Sequence, residues 1–172
     1  MAIAVTVLVI GAVTLAAFTR TTAPSPMAWA IRSGLVVLLA AQAIGVWMIV
    51  HGVSLMNADA DPLTQSMSTY GGAGAMKIAH GVPMHAIQLF GAGLAAVVSG
   101  LTQRRQLGLV VLAVAGYAGL LGVVLLRTVY GLAPFDLRSV STLIYLIAGG
   151  FLAASAVAAV AGLHHRAAAP GR

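Results

Sequence analysis

The chain has 172 residues, of which 60% are hydrophobic and only 7% are charged, and its mean hydropathy is +1.02. A soluble domain carries about 25% charged residues because its surface faces water, so this composition excludes a soluble globular protein and predicts lipid as the main solvent. The basic residues behind the net charge of +6 are spread thinly over connecting segments, which excludes a nucleic-acid-binding patch. The lack of cysteine excludes disulfides, iron–sulfur clusters and thiolate metal sites.

Five apolar segments follow one another along the chain. Each reaches the roughly 17–20 residues that cross about 30 Å of hydrocarbon as a helix. We therefore predict a single domain over residues 1–172, an all-α membrane protein with a bundle of five transmembrane helices. The predicted spans cover about 2–18, 27–56, 76–101, 107–130 and 140–163, with a polar outer loop at 57–75.

The first span is predicted to be a retained helix rather than a cleaved signal peptide. A positively charged segment before the apolar run is missing, and the residues from Thr14 to Phe18 make a poor cleavage site.

The charged residues predict the orientation of the bundle. With five spans, one side receives six arginines, at 20, 32, 104, 105, 166 and 172. The other side receives all three acids, Asp59, Asp61 and Asp136, with Lys77, Arg127 and Arg138. Because cytoplasmic connections are enriched in Lys and Arg, we predict an N-terminus outside and a C-terminus in the cytoplasm. The expected location is the bacterial cytoplasmic (inner) membrane.

Most polar groups inside the spans are predicted to lie in their outer halves. Ionisable groups are costly in hydrocarbon and usually functional there, so we interpret them as a candidate site at one depth near the outer face. The candidate binding residues are His51 on the second span, Lys77, His80, His85 and Gln88 on the third, and Arg127 on the fourth.

Helical geometry divides the candidates on the third span. At 100° per residue, Lys77, His80 and Gln88 share one stripe, whereas His85 lies about 140° from His80. A straight helix would therefore not let the two histidines chelate one ion. Pro83 leaves two alternatives open, a kink within the helix or a helix that begins at this proline after a partly re-entrant loop.

The same segment resembles a family of uncharacterised bacterial polytopic membrane proteins. Residues 74–88, Gly-Ala-Met-Lys-Ile-Ala-His-Gly-Val-Pro-Met-His-Ala-Ile-Gln, are similar to that family's Gly-Asp-Leu-Arg-x-x-His-Phe-x-Gly-x-His-Ala-x-Gln pattern. The family's Gly-His pair on the preceding span is reversed here, as His51-Gly52. The resemblance covers about residues 50–92 and departs from the pattern at Ala75, Lys77 and Pro83. It implies that the histidines, Lys77 and Gln88 form a unit, and it names no reaction.

The chemistry of these residues favours a redox role. His51, His80 and His85 are expected to bind haem b or a metal ion, because neutral imidazole is a common ligand of both. Copper would suit histidine with the nearby methionines. Gln88 would support the ligands, and Lys77 and Arg127 would hold an anionic group such as a haem propionate. In the structural alternative, the histidines only fix helix packing and the two basic side chains snorkel to the interface.

Three functions follow from this interpretation. The first is electron transfer by a bound haem b or metal ion, or action on a lipid-soluble substrate. The second is an accessory subunit that assembles with other membrane subunits or as a homo-oligomer, which the Gly- and Ala-rich helix faces would favour. The third is a channel or carrier for protons or a small solute, which the apolar inner halves of the spans disfavour.

Overall fold

The computed structural model describes residues 2–57, 76–130, 132 and 141–167, and this part of the chain is helical apart from short links. The predicted outer loop, apart from Asn57, and the three acids lie outside the described residues. The elements are α1 (Ala2–Thr19), α2 (Ser25–Asn57), α3 (Met76–Met84), the 3₁₀ turn η1 (His85–Ile87), α4 (Gln88–Val98), α5 (Gln103–Val129) and α6 (Ser141–Ala167).

The prediction of an all-α membrane bundle is confirmed at the level of its helices. Four helical segments are long and apolar enough to cross a membrane, and the shorter helix α1 is also apolar. Many large apolar side chains face outward, as expected of helices that contact acyl chains. The four segments are Ser25–Val50, Met76–Val98, Gln103–Val129 and Ser141–His164.

The third span is one helical segment that passes through Pro83. Helix α3 begins seven residues before this proline, which is buried inside the helix, so the alternative in which Pro83 starts the helix is wrong. The proline lacks the N–H that would bond to the Ala79 carbonyl, and the backbone tightens into the turn η1 directly afterwards. From α5, the Tyr117 hydroxyl donates a hydrogen bond to the Val82 carbonyl and ties this irregular stretch to its neighbour.

Helix α2 lies at the centre of the bundle. It packs against α1, against the whole third span and against α5, whereas α6 packs on α5 and α4. Two of the small buried clusters that join these helices lie towards opposite ends of the bundle. Near one end, Ala30, Ala96 and Val110 meet; near the other, Ile44, Ala79 and Val124 meet. The pairing of 96 with 110 and of 79 with 124 makes the third span and α5 antiparallel neighbours.

Glycines allow the closest helix contacts. A Cβ atom on Gly93 would lie 2.4 Å from the Ala30 Cβ, and one on Gly116 would lie 2.7 Å from the Ala148 carbonyl oxygen. Both positions confirm that small residues let these backbones approach, as is usual in lipid. At Gly91 and Gly122, in contrast, a Cβ atom would meet open space.

The link between α4 and α5 is closed by polar side chains. The buried Ser99 hydroxyl donates to the Ala96 carbonyl, and Gly100 adopts the positive φ of 73° that ends the helix. The Gln106 amide then donates to the carbonyl oxygens of Leu101 (2.9 Å) and Val97 (3.3 Å).

Helix α1 is fastened to the start of α2 by an arginine. The Arg32 Nε donates to the Ala17 carbonyl at 3.1 Å, and its guanidinium lies 5.4 Å from the centre of the Phe18 ring. A cation at the last carbonyls of a helix is favourable because these carry partial negative charge.

Candidate functional site

His80 lies in the contact between α3 and α2. Its Nδ1 is 2.8 Å from the Ala41 carbonyl oxygen. A carbonyl only accepts, so Nδ1 carries the proton and donates. In the neutral ring the lone pair is then on Nε2. A backbone carbonyl that orients an imidazole in this way is the usual support of a metal-binding histidine.

A glycine on α2 makes room for the His80 ring. A Cβ atom on Gly45 would lie 2.8 Å from the His80 Cε1 and 3.2 Å from its Nδ1. The ring therefore occupies a notch that only a glycine leaves open. Sequence reasoning missed both Gly45 and Ala41, because a glycine in an apolar run carries no sign of which residue will face it.

Substitution of Gly45 tests this arrangement. In Gly45→Ala, the added methyl group pushes the ring out of the notch, and the hydrogen bond to Ala41 is lost. We expect a destabilisation of about 1–2 kcal/mol, from the lost bond and the strain. Nitrogen NMR of the imidazole should show that Nδ1 is no longer the fixed protonated nitrogen.

The matched control is Gly81→Ala, since a Cβ atom at Gly81 meets nothing within 4 Å although this residue adjoins His80 in the chain. Equal behaviour of the two variants would contradict the notch.

The contacts between α2 and the third span fix the depth of the histidines. Gly45 faces His80, and Ala30 faces Gly93, so the two helices run in opposite directions. His51 is six residues beyond Gly45, about 9 Å further towards the C-terminal end of α2 at 1.5 Å per residue. His85 is about 7.5 Å from His80 in the opposite direction, towards the N-terminal end of α2. The three positions are therefore spread over about 16 Å of the bundle axis, and do not share the single depth expected from the sequence.

The structure also places His80 and His85 on different sides of the third span. His80 is half-buried against α2, whereas His85 is exposed. The His85 Nδ1 is 2.9 Å from the carbonyl oxygen of Gly81 in its own helix, which again leaves the lone pair on Nε2. Gln88 is exposed as well, and its amide has no hydrogen-bond partner among the residues that the structure describes. Thus His80 and His85 do not converge on one ligand.

Two methionines lie further than His80 towards the C-terminal end of α2, which is also the N-terminal end of α3. Met76 precedes His80 by four residues, so the two side chains share a face of α3, and Met76 is only 4% exposed. Met48, three residues after Gly45 on α2, is half-buried. The backbone of His51 follows within one turn, while its side chain lies outside the described residues. The spacing along the helices therefore places Met76 on the face of α3 that carries His80, and Met48 on the face of α2 that carries Gly45.

The two basic candidates differ in environment. Lys77 is exposed, as a snorkelling lysine would be. Arg127 is only 2% exposed and donates to the Ser141 hydroxyl at the start of α6. Because Ala79 packs on Val124, Arg127 lies at the level of Met76.

Within 2–57, 76–130, 132 and 141–167, no three His, Cys, Asp or Glu side chains are grouped to hold a metal ion. Comparisons with protein-family models, curated proteins and solved structures find no match for this chain, so the functional interpretation depends on these contacts.

Proposed function

We propose that this membrane protein binds a copper ion between α2 and α3 and uses it for redox or electron-transfer work. The His80 Nε2 is the first ligand, the Met76 thioether is the second, and His51 and Met48 on α2 complete the set.

The observation that carries the proposal is the hydrogen bond from His80 Nδ1 to the Ala41 carbonyl. It fixes the ring in the Gly45 notch and leaves Nε2 as the nitrogen that can donate a lone pair. A half-buried neutral imidazole can also fix helix packing with one such hydrogen bond, so the bond alone suits a structural role as well. The presence of Met76 on the helix face of His80, and of Met48 on that of Gly45, favours the metal-binding role.

The ligand types favour copper over the other candidates. Thioether sulfur and imidazole nitrogen are soft or intermediate ligands that suit Cu(I), whereas carboxylates, which harder cations need, are absent from the described residues. Haem b is less favoured at this level, because a Cβ atom on Gly45 would already overlap the His80 ring. The gap between α2 and α3 is therefore no wider than one imidazole ring. A single ion requires far less space than a haem macrocycle.

Copper binding by matched variants tests this proposal. Purified protein in detergent is loaded with Cu(I), washed, and analysed for metal by mass spectrometry, and its affinity is measured by competition with a chelator. We expect stoichiometric copper in the wild type. His80→Ala and Met76→Leu should each weaken binding, the former by more than roughly 100-fold, since even the loss of an orienting partner costs about 10–100-fold.

The controls are His164→Ala, at an exposed position of α6, and Met27→Leu, about 27 Å from Gly45 along α2. Both should bind copper as the wild type does. Folded wild-type protein that retains no copper would exclude the site, and so would equal loss in the control variants.

A further inference from the structure

A second, separate feature is an apolar groove between α4, α5 and α6. Its volume is about 420 Å³, within the roughly 300–1,000 Å³ of small-molecule sites. It extends from Gln88 along the small residues Gly91 and Ala95 of α4, and along α6 as far as Leu163. All of these residues belong to candidate membrane spans, so hydrocarbon rather than water surrounds the groove.

The polar groups of the groove restrict what can occupy it. No charged side chain is among its lining residues. The Tyr117 and Ser155 hydroxyls, which line it, already donate to the carbonyls of Val82 and Leu109. The Gln88 amide, in contrast, has no hydrogen-bond partner among the described residues. The groove therefore offers an apolar wall with one hydrogen-bonding group at one end.

The depth of Gln88 decides the class of ligand. It is twelve residues after Met76 and ten before Val98, so it lies about 18 Å and 15 Å from the two ends of the third span, near the middle of the membrane. An exposed amide without a partner is costly there. A phospholipid head group carries charge and stays at the interface, so it cannot supply the missing partner. A neutral lipid with a carbonyl or hydroxyl group can.

We propose that the groove binds a neutral lipid of the quinone type, with a ring oxygen on the Gln88 amide and the hydrocarbon chain along α4 and α6 towards Leu163. The amide donates to the carbonyl of the oxidised form and accepts from the hydroxyl of the reduced form. This binding requires no copper and goes beyond the function proposed above.

Photolabelling in vesicles tests the proposal. The metal-free wild-type chain is reconstituted in phosphatidylcholine and irradiated with an azido-benzoquinone that carries a ten-carbon chain, and labelled peptides are identified by mass spectrometry. We expect label concentrated on residues 85–95 and 152–163. A phosphatidylcholine with the same azido group on its acyl chain should label the outward-facing helix surfaces without this concentration.

Two variants with a matched control sharpen the test. Gly91→Phe adds a ring at the groove wall, where a Cβ atom meets nothing within 4 Å, and Gly122→Phe adds the same bulk at a position outside the groove whose Cβ is equally open. Gly91→Phe should abolish the concentrated label and Gly122→Phe should retain it. Gln88→Leu should lower the concentrated label roughly three- to tenfold, which corresponds to the free energy of one hydrogen bond.

Three results would overturn the proposal: even labelling of all outward surfaces, equal labelling by both probes, or cross-links that join a second protein chain across the groove. Because the photolabelling uses metal-free protein, a negative result does not bear on the proposed copper site. A protein that binds no copper would likewise not bear on the proposed lipid site.

Discussion

The variant Gly116→Leu is expected to unfold well before the wild type in a thermal or denaturant titration of the detergent-solubilised protein. A Cβ atom at this position would lie 2.7 Å from the Ala148 carbonyl oxygen and 3.1 Å from the Phe151 Cβ. The Ala148 carbonyl cannot rotate away from the added leucine as a side chain could, so α5 and α6 must move apart along their contact. We expect a loss of about 3 kcal/mol, at the upper end for overpacked cores.

Its control is Gly122→Leu on the same helix, where a Cβ atom meets open space. That variant should be as stable as the wild type or slightly more stable, since leucine is a better helix former than glycine by about 0.5–1 kcal/mol. Equal loss of stability in the two variants would show that α5 and α6 do not pack closely at Gly116.

The variant Arg127→Ala is expected to have the second large effect. The Arg127 side chain is 2% exposed, and its guanidinium donates to the Ser141 hydroxyl, which joins the end of α5 to the start of α6. Removal leaves a cavity and takes away this hydrogen bond to Ser141. A charge-assisted hydrogen bond is worth about 1.5–3 kcal/mol, so we expect a loss of about 3 kcal/mol once the cavity is included.

Arg104→Ala is the matched control, because Arg104 is exposed in the first turn of α5 and such surface changes usually stay within about 0.5 kcal/mol. If Arg127→Ala were as stable as Arg104→Ala, the buried guanidinium would have no part in joining α5 to α6.

The helices could be predicted from the sequence because lipid imposes a simple rule. A segment that crosses hydrocarbon must be apolar and must satisfy its own backbone, so composition and length nearly define it. The ends were less predictable, since they depend on individual side chains. The third span ends at Val98 rather than near Leu101 because the Ser99 hydroxyl and the positive φ of Gly100 close the helix there.

The relative depth of the helices could not be predicted from hydropathy, and the candidate site changed for that reason. Composition places a span in the membrane without defining which of its residues faces which residue of a neighbour. The contact of Gly45 with His80 defines that register. It places His51 and His85 on opposite sides of His80 along the bundle axis. The 140° separation of His80 and His85 was predictable, because it depends only on the geometry of one helix.

The candidate residues on the third span also differ in burial, and helical periodicity did not predict this difference. Lys77, His80 and Gln88 share a stripe by spacing, yet only His80 is half-buried, while Lys77 and Gln88 are exposed. The 3₁₀ turn after Pro83 changes the residues per turn between His80 and Gln88, so the stripe does not continue straight through it.

X-ray absorption at the copper K edge, recorded on Cu(I)-loaded wild-type protein and on Met76→Leu, tests the central claim most directly. The expected wild-type spectrum contains imidazole nitrogen and thioether sulfur in the first coordination shell, and the sulfur contribution falls in the variant. A first shell of light atoms alone, unchanged by the substitution, would contradict a copper site between α2 and α3.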